Sequence, residues 1–223
     1  MLLPEGQREQ DTMSDLFAHD EPLLIAPDAC LFKGFLSHED TVLLADIAAI
    51  TAISPFRHMV TPGGYPMSAA MSSCGAQGWI SDAKGYRYTA TDPLTGNPWP
   101  SMPDLFLSLA QNAAERAGFH GFLPDSCLIN CYVPGAGMSL HQDRDEPDRR
   151  QPIVSFSLGL PVQFQFGGMQ RHDPLKTFAL EHGDVLVWGG RSRLNYHAVR
   201  PVKNGVHPLV GARRFNLTFR CTR

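Results

Sequence analysis

The segment of residues 214–220 alternates strictly between polar and apolar side chains. One face carries three large apolar residues and the other carries four polar ones, two of them arginines: Phe215, Leu217 and Phe219 against Arg214, Asn216, Thr218 and Arg220. This period of two predicts a β-strand with one face on an apolar core. The polar face could lie in water, or it could line the inside of a barrel that binds a dianion. The second alternative requires both arginines to lean inward, because on an ideal strand they stand about 20 Å apart.

The remaining pattern predicts a mainly β protein of the sandwich or jelly-roll class. After residue 125, turns containing Gly or Pro separate seven short predicted strands: 126–133, 138–142, 152–160, 162–166, 184–188, 195–199 and 213–219. Upstream, a capping box of Ser37 and Asp40 predicts a helix to about Ile50. A second helix is predicted over 103–117 and ends at Gly118. Between the two helices, residues 54–100 predict short strands joined by turns.

Composition limits the functional classes. The net charge of −3 does not indicate a general binder of polyanions, although a local basic rim could still serve nucleic acid. No apolar run approaches the roughly 20 residues of a membrane span, and the N-terminus lacks the features of a signal peptide. The five cysteines are odd in number and scattered, which favours reduced thiols. We therefore expect a cytoplasmic protein without a membrane partner, and we expect it to be monomeric.

Three His-x-Asp pairs occur in the chain, and one of them has a distant partner. His38/Asp40 falls at a predicted helix start, and His182/Asp184 falls in a Gly-containing turn. His141 and Asp143 follow a predicted strand, on which residues i and i+2 share a face. His197 comes 54 residues after Asp143, on another predicted strand. Two imidazoles and one carboxylate form the ligand set of a non-haem Fe(II) site with open positions, so we predict a metal site at His141, Asp143 and His197.

Two further groups of residues could contact a substrate. Asp145 and Glu146 follow the metal pair and could accept hydrogen bonds from an amino group, although such a charged run is often only a solvated loop. Four of the aromatic residues in the Gly- and Ser-rich segment upstream belong to the second group: Tyr65, Trp79, Tyr86 and Tyr88. They could stack on a flat ring from a mobile lid, or they could be anchors of the core.

Taken together, the motifs resemble those of the AlkB family of DNA-repair dioxygenases, in particular its bacterial members. The resemblance runs in order from about Ser54 to Arg220 and is carried by Asn130-x-Tyr132, His141-Gln142-Asp143, His197, Arg214-x-Asn216-Leu217-Thr218-Phe219-Arg220, Met59-Val60-Thr61-Pro62-Gly63-Gly64-Tyr65 and Phe164-x-Phe166-Gly167-Gly168. One departure is Cys131, where a basic residue is usual. It falls on the opposite strand face, so we expect little effect on the cosubstrate.

The resemblance implies a double-stranded β-helix that uses Fe(II), 2-oxoglutarate and O2. The implied reaction hydroxylates an N-methyl group on a base such as 1-methyladenine or 3-methylcytosine, and releases formaldehyde, succinate and CO2. It implies iron ligands at His141, Asp143 and His197, and 2-oxoglutarate contacts at Asn130, Tyr132, Arg214, Asn216 and Arg220. It implies substrate contacts at Thr61, Tyr65, Met67, Trp79, Tyr86, Tyr88, Asp145, Glu146 and Arg171.

Three regions of one dioxygenase domain are predicted on this basis. They are a polar, disordered extension (1–20), N-terminal helices with a nucleotide-recognition lid (21–125) and the catalytic β-helix (126–223). Methylated single- or double-stranded DNA is the expected partner, with RNA as a further one, and the sequence does not rank them. Two alternatives stay open: the same oxygenase core acting on a protein or small molecule, and a cupin-like binding module without catalysis.

Overall fold

The computed structural model describes residues 21–223, so the predicted extension over residues 1–20 lies outside the described residues. Two α-helices are present in the described part, α1 (Asp40–Ile53) and α2 (Asp104–Arg116). The strands are β1 (Leu23–Ala26), β2 (Ala29–Phe32), β3 (Arg57–Val60), β4 (Pro66–Gly75), β5 (Gly78–Asp82), β6 (Gly85–Thr89), β7 (Ser126–Tyr132), β8 (Met138–His141), β9 (Ile153–Gly159), β10 (Val162–Phe166), β11 (Lys176–Leu180), β12 (Val185–Trp188), β13 (His197–Val199) and β14 (Arg214–Arg220). Neither helix of this part is long and apolar enough to cross a membrane.

Two antiparallel sheets form the body of the fold. The larger has the order β1-β2-β12-β9-β14-β7-β4-β3, and the smaller has the order β11-β10-β13-β8. Apolar side chains from both sheets pack together between them, among them Leu128, Phe164 and Trp188. The predicted mainly β, jelly-roll architecture is therefore confirmed. Helices α1 and α2 cover the outer face of the large sheet, where a second apolar core lies.

The strand β14 lies in the middle of the large sheet, paired with β9 on one side and β7 on the other. Its apolar face packs against the helices, as shown by the edge-on contact of Phe219 with Phe106 of α2. Its polar face points into the space between the sheets. Arg214 is only 1% exposed and Arg220 only 7% exposed. The interior interpretation of the alternating segment is thus correct, and the solvated-face alternative is wrong.

The structure differs from the sequence prediction at the N-terminal side of the domain. β1 and β2 were not predicted, because β2 is a fully buried strand of only four residues with no polar alternation. The predicted capping box is absent. The Ser37 hydroxyl donates to the Gly34 carbonyl, while the Asp40 carboxylate accepts from the backbone of Thr41. α1 also continues to Ile53, whereas α2 ends beside Gly118 as predicted, with φ +85° at that glycine.

The segment between the helices forms two hairpins at the open end of the barrel. β3 and β4 extend the large sheet through the pairing of β4 with β7. β5 and β6 form a separate two-stranded sheet. We refer to residues 57–89, which contain both hairpins, as the lid. The lid is contiguous with the large sheet, so the sheet crosses the predicted boundary at residue 125.

The junction between the lid and β8 depends on a close backbone approach at Gly137. A side chain there would come within 2.8 Å of the Val199 carbonyl oxygen and 3.1 Å of the Pro201 nitrogen. Ser68 of β4 donates to the Gly137 carbonyl and accepts from its N–H. Gly137 therefore lets the lid, β8 and the chain after β13 meet at one point.

Replacement of Gly137 by alanine should lower the free energy of unfolding by about 1–3 kcal/mol, since the backbone around it must move apart. Gly63→Ala is the matched control, because its new methyl group would meet the Tyr65 ring at 3.5 Å and the Thr61 hydroxyl at 3.9 Å, both ordinary van der Waals contacts. The control should change stability by less than about 0.5 kcal/mol. Urea unfolding followed by fluorescence measures both. Equal stability of the two variants would contradict the close approach.

Candidate active site

His141, Asp143 and His197 meet at one end of the small sheet. His141 of β8 and His197 of β13 are direct partners in the strand register, and Asp143 lies two residues beyond His141. The Asp143 Oδ1 atom is 3.6 Å from His141 Nε2 and 3.9 Å from His197 Nε2. One ligand atom from each residue lies within 4.8 Å of the other two. Among residues 21–223, this is the group of His, Cys, Asp and Glu side chains that could hold a metal ion.

Both histidines are oriented by a hydrogen bond on the far side of the ring. His141 Nδ1 lies 2.8 Å from the Ser139 carbonyl oxygen, and His197 Nδ1 lies 3.0 Å from that of Asn195. A carbonyl oxygen can only accept, so each Nδ1 carries the hydrogen and donates it. This leaves each Nε2 lone pair free and directed toward Asp143. Such a second contact, which fixes the tautomer and the ring orientation, is typical of metal-binding histidines.

The two oxygens of the Asp143 carboxylate face different groups, one Arg220 and the other the two histidines. Its Oδ2 atom accepts a hydrogen bond of 2.7 Å from Arg220 Nη2, so Oδ1 remains available for a metal. Burial by itself would raise the pKa of Asp143. The positive charge of Arg220 instead holds that pKa well below its usual value, and His197 and His141 add to this effect when they are protonated at low pH. The carboxylate is therefore ionised at neutral pH, as a metal ligand must be.

His197 is buried more deeply than His141 and behaves accordingly. It is 4% exposed, and its ring packs against Phe164, Phe166 and Trp188. Burial, followed by the neighbouring His141, lowers the pKa of His197 from 6.5 to about 4. The imidazole is neutral at pH 7, which is the form that binds a metal.

A polar layer lies inside the barrel next to the triad. Arg214 and Asn216 of β14 stand directly opposite Tyr132 and Asn130 of β7. Arg214 donates 2.9 Å to the Ser157 hydroxyl and 3.3 Å to the Leu160 carbonyl. Burial lowers the pKa of Arg214 to about 10, so it still carries its charge at pH 7.

Some polar atoms in this layer have no partner. The Nε of Arg214 and the Oδ1 of Asn130 are buried and make no hydrogen bond. A buried cation without a carboxylate next to it is costly, because burial removes its hydration. Arg214 meets only a hydroxyl and a carbonyl among its hydrogen-bond partners here. The layer is thus suited to an anionic ligand with further acceptor and donor groups.

A cavity of about 580 Å³ lies between the lid and two residues of the triad, His141 and Asp143. Predicted substrate residues from three regions of the chain line it: Thr61, Met67, Trp79, Tyr86, Asp145, Glu146 and Arg171. The Trp79 indole N–H donates 2.9 Å to Asp145 Oδ2, and its ring stacks on Tyr86 at 5.5 Å between centroids. An aromatic ring and a carboxylate therefore face the same space as the metal site.

Two predicted substrate residues, Tyr65 and Tyr88, do not line the cavity, and a third, Glu146, lines it but is held in ion pairs. Tyr65 is 75% exposed at the tip of the lid, away from the cavity wall. The Tyr88 hydroxyl donates to Glu146 in a short hydrogen bond. The Glu146 carboxylate, which the sequence places beside Asp145 as a second acceptor for substrate, is 3% exposed and forms ion pairs with Arg193 and Arg220.

Three polar residues of this region were missed by the sequence analysis. Ser155 and Ser157 face the polar layer from β9, where Ser155 accepts from Asn216 and Ser157 accepts from Arg214. Two serines at a spacing of two in an otherwise apolar strand are a signal that could have identified them. Arg193 is different, because it stands alone in a loop and nothing in the sequence pattern marks it.

Comparison with known proteins places these features in a family. The sequence profile of the 2OG-Fe(II) oxygenase superfamily matches residues 28–220. The chain is 56% identical over 210 residues to "Alpha-ketoglutarate-dependent dioxygenase AlkB" of Escherichia coli, covering 93% of this chain and 97% of that protein. It is 30% identical over 226 residues to "DNA N(6)-methyladenine demethylase ALKBH1C" of Arabidopsis thaliana, covering 88% of this chain and 49% of that protein. The solved structure titled "The structure of OsALKBH1" superposes with a TM-score of 0.79 at 29% identity, covering 90% of this chain and 100% of that one.

The residues of the site fit the iron ion and the 2-oxoglutarate that this family uses. Two neutral imidazoles and an ionised carboxylate, with free Nε2 and Oδ1 atoms facing one another, suit Fe(II) with open positions. The buried Arg214 guanidinium, with its unpartnered Nε, suits a carboxylate of a dianion.

The metal-free protein should lose stability as the pH falls from about 6.5 to about 4, because the unfolded chain protonates His197 in this window and the folded protein does not. The contribution is on the order of 3 kcal/mol. His197→Gln removes it, so that variant should show a smaller loss between pH 7 and pH 4.5. Urea unfolding with a chelator present measures the difference.

His120→Gln is the control for this measurement, because the His120 side chain is 75% exposed and lies outside the site. It should lose as much stability as the wild-type protein over the same pH interval. Parallel curves for all three proteins would contradict the depressed pKa of His197.

Proposed function

The chain belongs to the 2OG-Fe(II) oxygenase superfamily, and on that premise we propose that it removes N-linked methyl groups from damaged nucleic-acid bases. It is an Fe(II)- and 2-oxoglutarate-dependent dioxygenase. The observation that carries the choice of substrate is the pairing of Trp79 with Asp145 over the cavity that leads to the metal site.

In this proposal His141, Asp143 and His197 hold the iron, and the polar layer holds 2-oxoglutarate. Arg214 pairs with one carboxylate, while Asn130, Tyr132, Asn216 and Arg220 line the remainder of the cosubstrate. Together with O2, the bound groups supply the oxidation of a C–H bond, and 2-oxoglutarate leaves as succinate and CO2. The protein orients the ligands and keeps their protonation states fixed.

The chemistry of a methylated base supports the substrate assignment. Methylation at N1 of adenine or N3 of cytosine leaves the ring with a positive charge. Trp79 offers an aromatic face for such a cation, and the Asp145 carboxylate offers the opposite charge together with an acceptor for the exocyclic amino group. Hydroxylation of the methyl group inserts one oxygen atom into a C–H bond. The hydroxymethyl group then leaves the ring nitrogen as formaldehyde.

The lid supplies the contacts outside the ring in this proposal. Thr61, Met67, Tyr86 and Arg171 line the cavity, and Tyr65 is exposed on the lid outside it. In this proposal all five would meet the sugar-phosphate backbone of an extruded nucleotide. Tyr88 and Glu146 lie beneath them and would support the layer that carries Asp145. Extrusion costs a few kcal/mol, and less for a base whose pairing is already damaged.

We propose DNA, single- or double-stranded, as the partner, with RNA as a second substrate to be tested. A cytoplasmic monomer is the form expected to act. The five cysteines are odd in number and scattered along the chain, which supports a reducing compartment.

The proposal is tested by incubating the protein with Fe(II), ascorbate, 2-oxoglutarate and oligonucleotides that contain 1-methyladenine or 3-methylcytosine. Mass spectrometry should show a loss of one methyl group per lesion and formation of formaldehyde. His197→Ala should abolish both. An unchanged oligonucleotide, in the presence of steady succinate formation, would overturn the substrate assignment and favour a protein or small-molecule substrate.

Trp79→Ala and Asp145→Asn should each lower demethylation at least about tenfold, because each removes a contact that orients the base. Neither residue is a proposed ligand of iron or 2-oxoglutarate, so slow turnover of 2-oxoglutarate without nucleic acid should continue. Asp104→Asn is the control and should keep the activity, because Asp104 lies in the first turn of α2 and does not line the cavity. If Trp79→Ala and Asp145→Asn lowered demethylation and the turnover of 2-oxoglutarate without nucleic acid by the same factor, the assignment of these two residues as contacts to the base would be contradicted.

Arg214→Lys should raise the KM for 2-oxoglutarate about tenfold or more with a smaller change in kcat. Lysine keeps the charge but lacks the planar pair of donors that matches a carboxylate. Succinate formation measured against 2-oxoglutarate concentration gives both constants. A KM equal to that of the wild-type protein would show that the cosubstrate does not reach Arg214.

A further inference from the structure

The buried guanidinium of Arg193 contacts the segment that follows the metal pair at two places. Its Nη1 donates 2.6 Å to the main-chain carbonyl of Asp143, and its Nη2 donates 2.8 Å to Glu146 Oε2. Its Nε donates 2.9 Å to the Gln151 carbonyl. Both Arg193 and Glu146 are 3% exposed. One side chain therefore holds residues 143, 146 and 151 in a fixed relation.

This short segment, residues 143–146, connects the metal site with the lid. Asp143 is a metal ligand, and Asp145 accepts from Trp79 of β5. Glu146 accepts from the Tyr88 hydroxyl of β6 and lies 3.3 Å from Arg220 Nε. The segment has no regular secondary structure of its own, so side chains from elsewhere must set its path.

Among these contacts, those of Arg193 are the ones that act on the main chain of the metal ligand. Arg220 holds the Asp143 carboxylate but not the Asp143 main chain. If the main chain shifts, the side chain can rotate about its Cα–Cβ and Cβ–Cγ bonds and keep the contact with Arg220 while Oδ1 moves away from the histidines. A guanidinium can donate to three acceptors in different directions at once, whereas an ammonium group directs its donors from a single atom. A geometry error of about 1 Å at such a site is enough to weaken binding or reaction strongly.

We propose that Arg193 is a positioning residue that sets the metal ligand Asp143 and the base-contacting Asp145 in register with each other. The Arg193 guanidinium makes no hydrogen bond to the carboxylate of Asp143 or to that of Asp145. It acts through the Asp143 carbonyl and through Glu146, whose carboxylate serves this connection rather than the substrate. The inference rests on the metal site of the proposed function but does not depend on the nucleic acid.

The test uses Arg193→Lys and the binding of Mn(II), a stand-in for Fe(II) that O2 does not oxidise under these conditions. Free Mn(II) is followed by electron paramagnetic resonance in the presence of 2-oxoglutarate, at a temperature well below the unfolding midpoint of each protein. The variant should bind Mn(II) about 10–100-fold more weakly, as is common when an outer contact of a metal ligand is lost. Amide hydrogen exchange of residues 143–146 should also become faster.

Arg57→Lys is the matched control. Arg57 also pairs with a buried carboxylate, that of Asp92, at a distance of 2.8 Å, and contacts none of the metal ligands. This variant should lose stability but keep Mn(II) affinity within about twofold and keep the exchange rates of residues 143–146. Unchanged Mn(II) affinity in Arg193→Lys, or an equal loss in Arg57→Lys, would overturn the positioning role.

Glu146→Gln tests the same connection if Arg193→Lys does not fold, because it keeps the shape of the side chain, removes its charge and replaces one of its two accepting oxygens by a donor. It should weaken Mn(II) binding by about threefold or more while remaining folded. Wild-type affinity in this variant would refute the connection through Glu146. Mn(II) binding needs no nucleic acid. If the variants bind Mn(II) more weakly as expected but the wild-type protein does not demethylate the oligonucleotides, the result counts against the proposed substrate and not against the role of Arg193.

Discussion

The buried ion pair between Arg220 and Asp143 is the interaction on which the site depends. It joins β14, a central strand of the large sheet, to the loop that follows β8 of the small sheet. Removal of one partner from such a pair leaves an uncompensated buried charge, at a cost of about 3–5 kcal/mol. The pair also assigns the two carboxylate oxygens, since Oδ2 receives Arg220 and Oδ1 faces the histidines.

The same pair relates the three parts of the site to one another. Arg220 shares its strand face with Arg214, so a shift of β14 would move the proposed metal ligand Asp143 and the polar layer together. On the other side, Glu146 links Arg220 to Arg193 and to Tyr88 of the lid. The other two buried arginines of the site pair with acidic groups, Arg220 with Asp143 and Arg193 with Glu146. Arg214 has no carboxylate among its hydrogen-bond partners.

The sequence predicts those features that depend on local periodicity. The alternation in β14 follows from strand geometry, and the structure confirms it. His141 and Asp143 do lie together, but β8 ends at His141 and Asp143 belongs to the loop after it, so strand geometry is not what brings the two side chains together. Arg193 could not be found in this way, because its acceptors lie at residues 143, 146 and 151, brought together only by the tertiary fold. The predicted cap at Ser37 failed for a related reason, since its hydroxyl found a nearer acceptor in Gly34.

A crystal structure of the protein grown without oxygen, with Fe(II) and 2-oxoglutarate bound, tests the central claim most directly. The account predicts one metal ion bound by Nε2 of His141, Nε2 of His197 and Oδ1 of Asp143, with Oδ2 still paired to Arg220. It also predicts one carboxylate of 2-oxoglutarate in contact with Arg214. A metal ion on Oδ2, or a cosubstrate that leaves Arg214 with Ser157 and Leu160 alone, would contradict it.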